Sequence, residues 1–213
     1  MKATDWQAII FDFDGVLVES VDIKTQAFAG LYQSYGETIV GKVVRYHSLN
    51  GGLSRYQKFR HFQQYFLEMP PLTQDEEREL DRRFSKLVVE AVIASEPVPG
   101  ANELVHKEAA NIPLFIASGT PEVELNTIVT RRGLKPYFTE VRGSPKSKQT
   151  LIAEILSTHS LTPTRVLMIG DALIDYQSAQ TNNVAFLGRV RTGDKSPFPE
   201  QVNTVFDLNA LLT

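Results

Sequence analysis

Two aspartates, Asp12 and Asp14, follow the apolar run "AIIF" with one Phe between them and Gly15 directly after. In extended chain, side chains two apart share a face, with α-carbons about 6.5–7 Å apart. Two bare carboxylates brought to about 4 Å repel by roughly 4 kcal/mol at an effective dielectric of 20. Such a pair either fans into solvent or is held by a proton or a cation. Gly15 gives the chain a sharp exit from the strand.

Three other segments bring polar groups to the ends of apolar runs. "IASGT" ends in Ser118, Gly119 and Thr120, directly before a helical pattern. A hydroxyl and free N–H groups at a helix N-terminus form an anion site, although Thr120 also reads as a helix cap. "MIGDALID" ends in Gly170 and Asp171, with Asp175 one helical turn later. "RGSPKSKQT" carries Lys146 and Lys148 just before a helix. In an open α/β sheet the carboxyl ends of neighbouring strands converge on one crevice. Carboxylates there suit a hard cation such as Mg2+, which prefers oxygen ligands. The donors and an ammonium suit the remaining oxygens of a phosphate.

The elements that must position these groups are legible as patterns. Residues 8–11, 112–118, 165–171 and 184–188 are apolar, strand-length runs bounded by polar or turn residues, as in a buried parallel sheet. Between them, "TPEVELNTIVTRRG" starts with Thr120 as cap and Pro121 in the first helical position, and ends at Gly133. "QTLIAEILSTHSL" puts Leu151, Ile152, Ile155 and Leu156 on one face. The alternation predicts a doubly wound α/β domain. Residues 21–96 read as nearly all helix. Ile23, Ala27, Leu31 and Tyr35 recur every four residues, Phe59, Phe62 and Phe66 form a packing stripe, and Thr73 with Glu76 makes a capping box. The Pro- and Gly-bearing stretch 96–104 reads as the return linker. The expected organisation is therefore a core of residues 1–20 and 97–213 with a helical module at 21–96.

Composition narrows the partners. The chain has 213 residues, 42% hydrophobic and 22% charged, with a net charge of -3, which argues against a nucleic-acid surface. Arg82–Arg83 and Arg131–Arg132 are isolated pairs on helix-like faces rather than a basic stripe. The absence of cysteine removes disulfides, thiol catalysis and Cys-ligated metals. No apolar run nears the ~18 residues of a membrane span, and "MKATDW" leads into no signal-peptide core, so a cytoplasmic protein is the expectation. His47, His61, His106 and His159 show no ligand spacing and read as structural.

Taken together, the motifs resemble those of haloacid dehalogenase (HAD) superfamily hydrolases, in the phosphoglycolate phosphatase and beta-phosphoglucomutase-like branch. "DFDGVLVES" matches the first motif, "SGT" the second, a lysine before a helix the third and "GDALID" the fourth. The resemblance implies a Rossmannoid core with an inserted helical cap, and hydrolysis of a small phosphorylated metabolite. It implies Asp12 as nucleophile and Asp14 as general acid/base. Asp12, the Asp14 carbonyl and Asp171 would bind Mg2+, with Asp175 completing or orienting that shell. Ser118 and Gly119 would hold the phosphoryl group. An acid at Asp14 sets the chain apart from members that cleave carbon–halogen or phosphonate bonds. The branch usually shows K-P-x-P in its third motif, which this chain lacks. Lys146 fits that register, whereas Lys148 directly opens its helix and is the favoured choice. In "LNGGLSR", the resemblance places Gly52, Ser54 and Arg55 against the substrate, with Lys24 near the site entrance. A phosphosugar mutase shares the same motifs, and a phosphorylatable regulator is the rival outside enzymes. Substrate identity and oligomeric state are not encoded in these motifs.

Overall fold

The computed structural model describes residues 6–212; residues 1–5 and 213, which the expected core includes, lie outside the described residues. Six parallel strands form one sheet: β1 (Ala8–Phe11), β2 (Leu114–Pro121), β3 (Glu140–Ser144), β4 (Val166–Gly170), β5 (Ala185–Arg189) and β6 (Thr204–Val205). Their order is β3-β2-β1-β4-β5-β6. The chain runs outward from β1 to β2 and β3, then returns to β4 on the other side. That reversal beside β1 is the switch point at which α/β sheets open a crevice.

Alternation along each central strand feeds two cores. Ile9, Phe11, Leu114, Ile116, Leu167 and Ile169 bury into one face. Ala8, Ile10, Phe115, Ala117, Val166 and Met168 bury into the other. This two-sided burial explains why β1, β2 and β4 read as continuous apolar runs. Helices α1 (Val21–Leu31), α2 (Glu37–Leu49), α3 (Arg55–His61) and α4 (Gln74–Ala94) lie between β1 and β2. After them come α5 (Ala101–Glu108), α6 (Glu122–Arg131), α7 (Lys148–Thr158) and α8 (Leu173–Thr181). Leu151, Ile152, Ile155 and Leu156 of α7 pack together in the second core, as their spacing requires. The Thr73–Glu76 capping box opens α4. Phe28, Phe59, Phe62 and Phe84 meet edge-on or tilted, with ring centroids 4.3 to 6.1 Å apart, and tie α1, α3 and α4 together.

Three local expectations are corrected. Strand β3 carries Glu140 and Arg142 outward on its edge, so it shows no apolar run. Residues 101–104 of the expected linker already belong to α5. Thr120 is not the cap of α6: β2 continues to Pro121, which takes the cap position. The Thr120 side chain is engaged elsewhere, as described next.

Candidate active site

Asp12 follows the last residue of β1, and its backbone N–H bonds to the Ile169 carbonyl of β4 at 2.9 Å. Phe13 is fully buried, so strand alternation sends it into the core and leaves Asp12 and Asp14 on the crevice side. Gly15 turns the chain at φ +74°, and a Cβ there would run into the Asp171 carboxylate. Glycine is required at this position both for the left-handed backbone and for the close approach of β4's end.

Each of the two carboxylates has its own lysine. The Asp12 carboxylate lies 3.0 Å from Lys148 Nζ and accepts the Phe13 N–H at 2.7 Å. The Asp14 carboxylate pairs with Lys24 and accepts bonds from the Ser20 hydroxyl at 2.6 Å and the Thr120 hydroxyl at 2.9 Å. Lys24 also donates to Thr120 Oγ1 at 2.7 Å. Facing separate cations limits the repulsion within the pair, although Asp14 still adds to the upward push on Asp12. Burial pushes the Asp12 carboxyl up to about 7 against the pull of Lys148. Burial opposes ionisation of Asp14 too, but Lys24 and the hydroxyls hold its carboxyl below the ordinary range.

The two candidate lysines separate cleanly. Lys148 is the first residue of α7, whose N-cap Ser147 accepts the Thr150 N–H. Its buried ammonium bridges Asp12 and Asp175, and these carboxylates hold it firmly charged despite burial. Lys146 is half exposed and pairs with Glu154 at 2.6 Å, away from the carboxylates.

Asp12, Asp171 and Asp175 bring carboxylate oxygens within 4.8 Å of one another. Burial first, then the charges of Asp12 and Asp175, raises the Asp171 carboxyl well above its ordinary value. An all-oxygen set of crowded, buried acids is the chemistry a hard divalent cation would relieve. Asp175 has little left to offer such an ion: one oxygen takes the Lys148 ammonium, and the other accepts the Asp171 and Ala172 N–H groups at 3.1 and 3.0 Å. Its contacts fix the loop that presents Asp171. The Asp14 carboxylate lies outside the cluster.

Above these groups sits a cavity of about 160 Å³, lined by Asp12, Asp14, Asp171, Ser118, Gly119 and residues of the inserted helices. Ser118 is buried, and its hydroxyl accepts the Thr120 N–H at 3.1 Å. Gly52 has φ +72°, and a Cβ there would lie 2.6 Å from Ile174 Cγ2. A Cβ at Gly119 would strike the Gly52 carbonyl, so two glycines let the loop before α3 press onto the end of β2. Ser54 caps α3 by accepting the Gln57 N–H.

Arg55 lines the cavity but is heavily committed. Its guanidinium forms a two-pronged pair with Glu124 of α6 and bonds Ser85 at 2.8 Å and Asp81 at 3.1 Å, both on α4. It also lies 4.6 Å from the centre of the Phe84 ring. Arg55 thus clasps the inserted helices to the sheet domain. Sequence reasoning missed Ser20 and Thr120 as partners of Asp14. The polar end of "VLVES" carried a signal for the first, and the S-G-T end of β2 for the second. It also passed over His47, which lines the cavity beside Lys58.

Comparison with known proteins places this geometry among relatives. Residues 6–182 match the haloacid dehalogenase-like hydrolase family. A phosphoglycolate phosphatase of Synechococcus elongatus is 26% identical over 194 residues, spanning 82% of this chain and 79% of that protein. Among solved structures, a predicted phosphoglycolate phosphatase from Haemophilus somnus superposes with TM-score 0.73 and 19% identity, covering 99% of this chain and 98% of the other. A beta-phosphoglucomutase from Clostridium difficile gives TM-score 0.78 at 17% identity, covering 97% and 93%. At that identity the two structures show a shared fold.

Proposed function

The chain belongs to the haloacid dehalogenase-like hydrolases, and from that membership we propose a Mg2+-dependent phosphatase that hydrolyses a small phosphorylated metabolite through an aspartyl-phosphate, an acyl phosphate, at Asp12. The observation that carries this reading is the Asp12 carboxylate, buried at the switch-point crevice between the Lys148 ammonium and the Asp171 carboxylate. Nucleophile, counter-charge and an oxygen-only cation site meet at one point, which is most of what phosphoryl transfer needs.

In the proposed sequence, an Asp12 oxygen attacks phosphorus while the bond to the leaving ester oxygen breaks. That oxygen takes a proton from Asp14, which is left ionised beside Lys24. Water then attacks the phosphoryl group, gives its proton to Asp14, and the bond to Asp12 breaks to release phosphate. The ionised state that Lys24 imposes on Asp14 suits this second, base-catalysed half. Asp12, the Asp14 carbonyl and Asp171 would hold Mg2+, whose charge would offset that of the carboxylates and the phosphoryl oxygens. Lys148 fixes Asp12, and Ser118 with Gly119 receives the phosphoryl oxygens. Residues 1–20 and 97–213 act as the core and residues 21–96 as the cap, with Gly52, Ser54 and Arg55, at the start of α3, facing the substrate. The Arg55–Glu124 pair ties this cap to the core.

The expected result is release of inorganic phosphate from p-nitrophenyl phosphate with Mg2+, lost on chelation and strongly reduced in Asp14→Asn. Transfer of the phosphate to a second sugar hydroxyl, with no net release, would favour the mutase chemistry of the same family. A Mg2+-replete protein that turns over no phosphate ester would overturn the reading.

A further inference from the structure

Among the described residues, one cation lining the cavity has no anionic partner in contact. Lys58, on α3, is buried, with 2% of its surface exposed, and lines the same cavity as Asp12 and Asp171. Its ammonium lies 2.8 Å from His47 Nδ1 and 5.6 Å from the centre of the Phe28 ring. Both partners are uncharged. His47 is held neutral by burial and by Lys58 itself, its imidazole pushed down to about 3. The other cations lining the cavity are matched, Lys24 with Asp14 and Arg55 with Glu124 and Asp81, and the adjacent Lys148 is paired with Asp12 and Asp175.

A buried ammonium with only neutral groups in contact bears a desolvation cost that the charges of Asp14 and Asp171, further off, offset only in part. Its ring and imidazole partners each supply a modest attraction, and at most one of three N–H donors reaches His47. The remaining donors need an acceptor from outside the chain. We propose that Lys58, oriented by His47, recognises a second anionic group on the substrate, a carboxylate or a second phosphate. This rests on the phosphatase reading for the identity of the bound molecule, although the anion site itself can be tested without turnover. Burial pushes the Lys58 amine down to about 7, as expected of a cation short of a counter-ion, and an arriving anion reverses that shift. The apolar walls of Phe28 and Phe84 keep water from screening the contact. The site therefore selects a doubly anionic small molecule over a monoester with a neutral tail.

The test is binding calorimetry with three probes that cannot be hydrolysed: phosphonoacetate, ethane-1,2-diphosphonate and ethylphosphonate, each with Mg2+. The wild-type chain is expected to bind one of the two doubly anionic probes at least about tenfold more tightly than ethylphosphonate, as one charge-assisted contact allows. The tighter of the two identifies carboxylate or phosphate as the recognised group. In Lys58→Met the preference falls below about threefold. Lys58→Gln, which keeps a donor to His47 without the charge, serves if the methionine variant does not fold. A preference that survives loss of the charge, or a wild-type chain with no preference, overturns the proposal. Absence of ester hydrolysis alongside a Lys58-dependent preference would instead fault the phosphatase reading and leave the anion site standing.

Discussion

Replacing Lys148 by Met removes the cation from a fully buried triad while keeping most of the side-chain volume. Lys148 Nζ lies 3.0 Å from Asp12 and also contacts Asp175. At an effective dielectric near 20, the attraction to Asp12 alone is about 5 kcal/mol before desolvation is charged against it. Breaking a buried pair by removing one partner costs about 3–5 kcal/mol, because the remaining charge is stranded. The Asp12 carboxyl, already pushed up to about 7 with Lys148 present, becomes harder to ionise and loses the contact that fixes it. A loss of that size corresponds to a fall in turnover of roughly 10²–10⁴. Lys146→Met is the matched control. That lysine sits on the surface in a pair with Glu154, and such pairs contribute about 0–1 kcal/mol. The assay is Mg2+-dependent hydrolysis of p-nitrophenyl phosphate at neutral pH, with circular dichroism to confirm folding. A folded Lys148→Met protein within threefold of wild type would refute the reasoning. So would a Lys146→Met protein that loses activity while Lys148→Met keeps it.

Three further outcomes follow from the same geometry. Thr120→Val removes a 2.9 Å hydrogen bond to the Asp14 carboxylate; a bond to a charged group is worth about 1.5–3 kcal/mol, so kcat/KM should drop about 10- to 100-fold. An unchanged kcat/KM would return Thr120 to a purely structural role. Gly15→Ala forces a Cβ into the Asp171 carboxylate at a left-handed backbone position, and the Mg2+ concentration for half-maximal activity should rise by about tenfold or more if Asp171 is a ligand. His47 should show no inflection in an NMR titration from about pH 5 to 8, because burial and Lys58 push its imidazole down to about 3. Unfolded chain then binds the extra proton below about pH 6.5, so the share of stability owed to His47 is full above that value and shrinks as pH falls towards 3. An inflection near the ordinary histidine value would place His47 in solvent.

The sequence carried the central sheet and the acids at its edge because both obey short-range rules. Strands buried on two faces, such as β1 and β4, must be apolar throughout, and the polar residue that ends each run marks the crevice. β3 escaped because an edge strand with Arg142 paired to Glu140 and Glu154 needs no apolar face beyond Val141. Thr120 was misread because a cap and a carboxylate partner require the same residue type at the same place. Choosing between Lys146 and Lys148 depended on helix geometry: Ser147 as N-cap turns Lys148 inward at the first turn of α7. The Lys58–His47 pair left no sequence signal, since its meaning comes from which charges around it are already matched. Arg55 was legible as a cavity residue, but its engagement with Glu124 joins α3 to α6 across 69 positions of chain, a separation that no local pattern reports.

In the proposed chemistry an Asp12 carboxylate oxygen is the atom that takes the phosphoryl group. Rapid acid quench during turnover of a phosphate ester, followed by mass-spectrometric mapping of the peptides, tests this directly. The expected result is a phosphate on the peptide containing Asp12, turning over with the steady state and absent from a folded, inactive Asp12→Asn protein. An Asp12→Asn protein that hydrolyses the ester at the wild-type rate, or a phosphate trapped on another residue, would contradict it.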